Sequence, residues 1–203
     1  CVSVEWLRQD PVLSHLKLFG YHWDECGYEA GQEMFCEMND RFLVTARRFL
    51  KSDEGQVEDF YYQFREQKKG VAMVHSITGH NGFTLRDLVS YDVKHNEANG
   101  EKNLDGTEYN YSWNCGAEGP SRKKEVREKR SSQERNAFLM LMLGMASPRI
   151  LSGDEFGNTQ KGNNNAYCQD NAITWLDWSL LEKNKELFSY VKKLIEFRRN
   201  HPL

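Results

Sequence analysis

The chain has 203 residues, of which 39% are hydrophobic, 12% aromatic and 28% charged, and its formal net charge is −3 at pH 7. Disordered chains combine few apolar residues with a large net charge, so this composition excludes that class. The near-neutral charge also argues against nucleic acid as a partner, because phosphate binding needs a surplus of Lys and Arg. The many aromatic residues predict a sizeable packed core.

No segment of the sequence predicts membrane insertion or export. The longest apolar run, 137–146, contains a glycine and is much shorter than the roughly 20 residues that a membrane-spanning helix needs. No basic stretch followed by an apolar one marks a signal peptide. Five cysteines without a CxxC pair predict free thiols, and with them a cytoplasmic protein without a metal or a cofactor.

The first half of the chain shows a strand, a helix and a second strand in its apolar pattern. Residues 16–22 are predicted as a short buried strand, and 33–51 as a helix whose apolar residues recur every four positions. Residues 70–78 are apolar on both parities, which is typical of a strand covered on both faces. The polar stretch 96–121 has no period and is predicted to be a long loop.

The second half continues the alternation. A helix is predicted at 123–146 and ends at Ser147-Pro148, a short strand follows at 149–152, and a last helix spans 185–199 with Asn184 as its N-cap. Strands that alternate with amphipathic helices predict an α/β fold with parallel strands. In barrels of this class the chemistry lies on the loops that follow the strands.

Polar and aromatic residues collect at three predicted strand ends, 21–24, 80–83 and 153–156. Amide and carboxylate side chains bond hydroxyl groups, and flat aromatic rings pack against the faces of sugar rings. The residues alone therefore favour a carbohydrate site.

Three segments carry a family resemblance. They are KLFGYHWDECG at 17–27, HNGFTLRDLVSYDVKHNEANGEKNLDGTEYNYSWNCGAEGP at 80–120, and SGDEFGNTQKGNNNAYCQDNAITWLDW at 152–178. They resemble the motifs KLIAEPWDAAG, HDGFTL…KHNEANGE…NYSWNCG and GDEFG…GNNNAYCQDN…WLDW of the isoamylase and bacterial glycogen-debranching branch of the α-amylase superfamily, glycoside hydrolase family 13. The resemblance covers nearly the whole chain.

The resemblance implies a partial (β/α)8 TIM barrel, made of strands five to eight with their helices and long βα loops. Residues 16–22 would be strand five, 70–78 strand seven and 149–152 strand eight. A complete barrel needs about 250 residues. We therefore expect 1–203 to be the C-terminal half of the catalytic barrel, with strands one to four upstream and no complete second domain.

The resemblance also implies a chemistry, the retaining cleavage of α-1,6 branch points by two carboxylates about 5–5.5 Å apart. The family's nucleophile would lie upstream of this chain. Its acid/base Glu falls on Tyr21, with His22 in place of a proline, and its third, stabilising carboxylate falls on Asn81. A phenol ionises only near pH ~10, and an amide adds no negative charge toward a developing cation. We therefore expect no intact catalytic residue and no hydrolysis.

Alternative interpretations stay open at this point. Asp24 or Glu25 could supply the missing acid, and the chain would then be part of an active isoamylase-type hydrolase. It could also be a non-catalytic glucan-binding subunit of a debranching complex, or a decayed remnant without a binding role. The partner implied is branched α-glucan (glycogen, amylopectin or limit dextrin), with an active debranching homologue or self-association as further partners.

The residues expected to contact glucan are His80, Trp23, Asp24, Asn81, Asn164, Asn165, Tyr167 and Trp113. A packing or turn-forming role is the alternative for each of them except Asn81. Tyr109 and Tyr111 could join Trp113 in a stacking platform or serve as loop anchors. Asp154 and Glu155 are interpreted as structural hydrogen-bonding residues, and the basic run 122–130 as a solvated helix face.

Overall fold

A four-stranded parallel sheet forms the centre of the molecule. The computed structural model describes residues 4–23, 35–68 and 71–201. The sheet has the order β1-β2-β3-β4, and each neighbouring pair is parallel. The strands are β1 Leu18–Gly20, β2 Phe35–Met38, β3 Ala72–His75 and β4 Ser147–Pro148. The predicted α/β class with parallel strands is confirmed.

Helices lie before, between and after the strands. They are α1 Val4–Gln9, α2 Asp40–Leu50, α3 Gln56–Arg65, α4 Leu85–Leu88, α5 Lys124–Leu143, α6 Ser179–Lys183 and α7 Lys185–Asn200. Short 3-10 turns occur at Leu13–His15, Glu97–Asn99, Asp154–Phe156 and Ala166–Cys168. None of the helices described here is both long and apolar enough to cross a membrane.

The two faces of the sheet are packed differently. Side chains alternate along a strand, so Cys36, Met38 and Val74 share one face, where they form a small apolar cluster. His75 points to the other face and stacks on Phe42 of α2, with ring centroids 3.8 Å apart and planes 5° apart. The helices therefore cover the His75 face.

The main core lies within this helical layer. Its largest side chains come from α2, α5, α7 and the segment after β3, and they include Phe42, Phe83, Phe138, Leu141 and Val191. At the end of α5, Arg198 of α7 donates to the carbonyl oxygens of Met142 and Ala146 at 2.8 Å. These bonds fix α7 against α5.

The prediction of one helix over 33–51 is wrong in its first part, because Phe35–Met38 is strand β2. The helix begins at Asp40, after Asn39, whose side chain accepts a hydrogen bond from the Phe42 amide at 2.9 Å. An Asn at this position is a strong helix-start signal. The four-residue spacing of apolar residues continued across it by coincidence, so the strand between the predicted strands five and seven was missed.

The bounds of the three predicted strands also differ. The last strand is Ser147–Pro148 rather than 149–152, and the predicted strands 16–22 and 70–78 are shorter than expected. Proline fits β4 because this strand lies at an edge of the described sheet.

Asn184 does precede α7, but its side chain donates to the Phe156 carbonyl at 2.9 Å instead of capping the helix. The predicted N-cap position is therefore confirmed, but the cap has no side-chain hydrogen bond. Helix α3 was not predicted. Among the described cysteines, Cys36, Cys115 and Cys168 are free, as expected.

Candidate functional site

The carboxyl ends of the four strands meet along one edge of the sheet, because parallel strands all point the same way. The polar residues that follow the strands are Tyr21 and His22 after β1, Asp40 after β2, His80 and Asn81 after β3, and Arg149 after β4.

At the end of β1, Trp23 folds back over the strand. Its ring lies against Phe35, with centroids 4.8 Å apart, and its Nε1 donates to the Cys36 carbonyl at 3.0 Å. A Cβ at Gly20 would lie 2.6 Å from the Trp23 ring, so only glycine leaves room for it. Tyr21 remains half exposed beside it, at 49%. Asp24 and Glu25 lie outside the described residues.

Three charged or titratable residues from different strand ends share one electrostatic environment. Burial raises the pKa of the Asp40 carboxyl, and the positive charges of His22 and Arg149 act against this shift. Sequence reasoning missed Asp40 and Arg149. The available signal for Asp40 was its place directly after the cap residue Asn39.

The loop after β3 presents His80 and Asn81 to solvent, while buried Asp154 fixes both ends of the loop. The Asp154 carboxylate accepts hydrogen bonds from Thr78 Oγ1 at 2.5 Å and from the Leu85 amide at 2.9 Å. Burial raises its pKa to about 7, against the effect of these bonds. The structural role predicted for Asp154 is confirmed, although it lies in a 3-10 turn rather than in a strand.

A buried arginine is hydrogen-bonded to the segment that leads into the same loop. Arg47 of α2 donates to the Ile77 carbonyl at 2.7 Å and to the Asn110 carbonyl at 3.0 Å. Burial lowers the pKa of Arg47 to about 10, and the charge of Asp154 acts against this shift. Arg47 and Asp154 together hold the end of β3 in a fixed position.

Side-chain amides join the long loop after β3 to the loop after β4. We call this set the amide network; its members are Asn96, Asn99, Asn110, Asn163, Asn164 and Asn165, together with the Asp105 carboxylate, which accepts from Asn99 and Asn165. Asn164 is 3% exposed and donates to the Thr107 carbonyl and to Asn110 Oδ1, at 2.8 and 3.0 Å. The Asn96 amide donates to Asn164 Oδ1 at 2.9 Å. The network fixes two loops that contain little regular structure.

The amide network holds two tyrosines in exposed positions. Tyr109 is 79% exposed and stands between Thr107 and Asn110, both bonded to Asn164. Tyr167 is 88% exposed, and Asn99 fixes the chain before it by donating to the Asn165 carbonyl at 3.0 Å.

The other two aromatic residues of the predicted trio lie elsewhere. The amide of Trp113 donates to the Leu88 carbonyl, and Lys129 Nζ of α5 lies 5.2 Å from the centre of its ring. Tyr111 is partly buried, with a φ of +53°. Both border a narrow gap beside Arg47, so the trio divides into one exposed ring and two rings at the helices.

The structure brings most of the predicted contact residues together. The Gly82 amide donates to the Asn164 carbonyl at 2.9 Å, which joins the loop of His80 and Asn81 to the amide network. Asn165 lies in the same loop as Tyr167, and its Nδ2 donates to Asp105 at 2.9 Å. Among described residues, no group of three His, Cys, Asp or Glu side chains is arranged to hold a metal ion.

Comparison with known proteins adds close relatives, although no protein-family profile matches the chain. A glycogen debranching enzyme of Klebsiella pneumoniae is 44% identical over 210 residues, which cover 98% of this chain and 32% of the relative. A glycogen operon protein GlgX homolog of Mycobacterium tuberculosis is 41% identical over 207 residues, covering 96% and 29%. The chain spans about a third of these relatives.

Solved structures with the same fold include pullulanases. Those of Bacillus acidopullulyticus and of Bacillus subtilis, the latter bound to maltose, both give a TM-score of 0.59 at 19% and 20% identity. Each match covers 83% of this chain and 19% or 22% of the pullulanase. The predicted partial barrel is thereby confirmed.

Proposed function

We propose that this chain binds branched α-glucan on its strand-end loops without cleaving the α-1,6 linkage. The chain is a homologue of the bacterial glycogen debranching enzymes and spans about a third of their length. We assign it to the C-terminal half of a catalytic barrel, strands five to eight. The observation that carries the proposal is the pair of exposed tyrosines on loops held rigid by buried amides.

Rigid, exposed aromatic rings are suited to stacking on sugars. Tyr109 and Tyr167 each present an apolar ring and a hydroxyl, and ordering on binding costs little because the amide network already fixes their loops. The solved pullulanases include complexes with maltotetraose and with maltohexaose. The linear glucose chains that a branched α-glucan carries are therefore the part of the ligand that we propose to lie on this surface.

Hydrogen-bonding groups for sugar hydroxyls lie on the loops joined to the amide network. His80 and Asn81 are exposed at the loop tip, and Asn165 Oδ1 has no partner within the described residues. Asn164 and Trp23 contribute by holding the loops, since their polar atoms already bond to the chain. Contact of Trp113 and Asp24 with glucan is also part of this proposal.

The absence of hydrolysis follows from Tyr21 and Asn81. Retaining cleavage needs an acid that donates a proton to the leaving oxygen and a negative charge near the oxocarbenium ion. The phenol and the amide at these positions supply neither at neutral pH.

Affinity electrophoresis in gels containing glycogen tests the binding. Glycogen in the gel should slow the wild-type chain. The retardation of Tyr167→Ala, measured against a gel without glycogen, should be several-fold smaller. Tyr62→Ala is the matched control, because Tyr62 is 63% exposed on α3, away from the strand ends. Wild-type migration unchanged by glycogen would refute the proposal.

A reducing-end assay on limit dextrin tests the lack of cleavage. No sugar release is expected from wild type, and Glu25→Gln should change nothing. Release by wild type would overturn this part of the proposal, and loss of that release in Glu25→Gln would identify the rescuing acid.

A further inference from the structure

We propose that Asn81 is a site of spontaneous deamidation, through which an exposed amide at the strand-end loop becomes a carboxylate. The modification is independent of the proposed function. Its consequence for glucan binding rests on that function.

The sequence has two Asn-Gly pairs, Asn81-Gly82 and Asn99-Gly100. Glycine lacks a Cβ that would shield the nitrogen, and both glycines have positive φ, +104° and +79°. In the reaction the Gly nitrogen attacks the Asn Cγ, a C–N bond forms, and the N–H proton leaves with the side-chain amide as ammonia. Water then opens the cyclic imide to aspartate or isoaspartate, so atoms balance with water as the only co-reactant.

The two nitrogens are similarly engaged. The Gly82 amide donates to the Asn164 carbonyl at 2.9 Å, and the Gly100 amide donates to the Glu97 carbonyl at 3.2 Å. Each attack must break one backbone hydrogen bond. The difference in reactivity must therefore come from the asparagine side chains.

The Asn99 side chain is held in place. Its Nδ2 donates to Asp105 Oδ2 at 2.7 Å and to the Asn165 carbonyl at 3.0 Å, and its Oδ1 accepts from Asn163 and Gln169 at 2.8 Å. Rotation of its Cγ toward the Gly100 nitrogen would break these bonds within the amide network.

The Asn81 side chain has no such restraint. It is exposed and makes no hydrogen bond to the described part of the chain. Its Cγ can sample the approach to the Gly82 nitrogen at little cost, and water reaches the imide. The geometry therefore makes Asn81 the reactive member of the pair.

The product adds one negative charge next to His80, taking the formal net charge one unit below −3. Aspartate at this position also matches the HDGFTL motif quoted above. Protein of different age should therefore differ in charge at the surface proposed to bind glucan.

Peptide mapping of protein incubated at mildly alkaline pH tests the proposal. We expect the amide of Asn81 to be lost several-fold faster than that of Asn99 in folded protein, and the two rates to converge after unfolding in urea. Isoelectric focusing should show an acidic species that Asn81→Gln abolishes. Equal rates in folded protein, faster loss at Asn99, or an intact Asn81 would each overturn it.

A second arm separates this proposal from glucan binding. Asn81→Asp and wild type are compared in glycogen gels. If neither is retarded, the proposed function fails while the deamidation result stands. If wild type is retarded and Asn81 stays intact on incubation, only the deamidation proposal fails.

Discussion

Asp154 carries a carboxyl group whose pKa burial raises from 3.8 to about 7. The folded state thus binds this proton more tightly than the unfolded state does. By linkage, the stability that the group contributes is full below about pH 4 and is lost as the pH rises toward about 7. Since Asp154 fixes both ends of the His80 loop, the loss concerns the candidate site directly.

We predict that Asp154→Asn changes this pH dependence. The amide keeps the shape and cannot ionise, so the melting temperature of the variant relative to wild type should rise between about pH 4 and about pH 8. Thermal unfolding followed by circular dichroism measures it. A constant difference across that range would contradict the assignment.

The contribution of His75 to stability should change with pH in the opposite direction. Burial, assisted by the positive charge of Arg198, lowers its pKa from 6.5 to about 4. The stability it contributes is full above about pH 6.5 and is lost as the pH falls toward about 4. His75→Gln should therefore show a weaker loss of stability in acid than wild type in urea unfolding. A loss of stability in acid as steep in His75→Gln as in wild type would contradict this assignment.

At the scale of elements, helix α5 contains a buried arginine that its charge pattern does not predict. The basic run 122–130 is mostly exposed, as predicted for a solvated helix face, but Arg130 is 5% exposed. It donates to the carbonyl oxygens of Gly119 and Asn114, at 2.7 and 3.0 Å, and to that of Ala117. One buried arginine therefore holds the turn that precedes the helix.

Arg130→Met should lower the free energy of unfolding by about 2–4 kcal/mol, because several buried carbonyl oxygens lose a charged donor. Arg127→Met, on the exposed part of the same helix, should change it by less than about 0.5 kcal/mol. Urea unfolding of both variants measures the difference. Equal effects would show that the charge on α5 determines the stability, and that the hydrogen bonds of Arg130 to the preceding turn do not.

Local signals account for the elements that were predicted correctly. The apolar face of α7 and the two-sided burial of β3 follow from spacing within a few residues, and 96–121 proved to be mostly loop. The start of α2 also has a local signal, Asn39, although the apolar periodicity continues across it.

The internal organisation of the site was not predictable from one sequence. Asn96 and Asn164 are 68 residues apart, and the sequence does not show that their amides meet. The same holds for His22, Asp40 and Arg149, which only the parallel sheet brings to one edge. Burial decides which Asn serves structure and which faces solvent, and it depends on tertiary packing.

At the scale of the whole molecule, the described sheet has β1 at an edge, with Phe19 61% exposed. Exposed apolar edge strands pair with other chains. We predict that the chain self-associates with rising concentration in sedimentation velocity, and that Phe19→Lys reduces this association. Tyr62→Lys, a change at a similarly exposed ring on α3, should leave it unaltered. Monomeric wild type would refute the prediction.

The amide network also has a direction. Asn96 donates to Asn164, Asn164 to Asn110, and Asn110 to the Thr107 carbonyl, while Asn96 Oδ1 accepts from the Asn164 backbone amide. Backbone groups at both ends determine which way each side chain points. Turning any one amide by half a rotation would set donor against donor and acceptor against acceptor, and reversing all of them together would do the same at the backbone groups, so the side chains have a single orientational order.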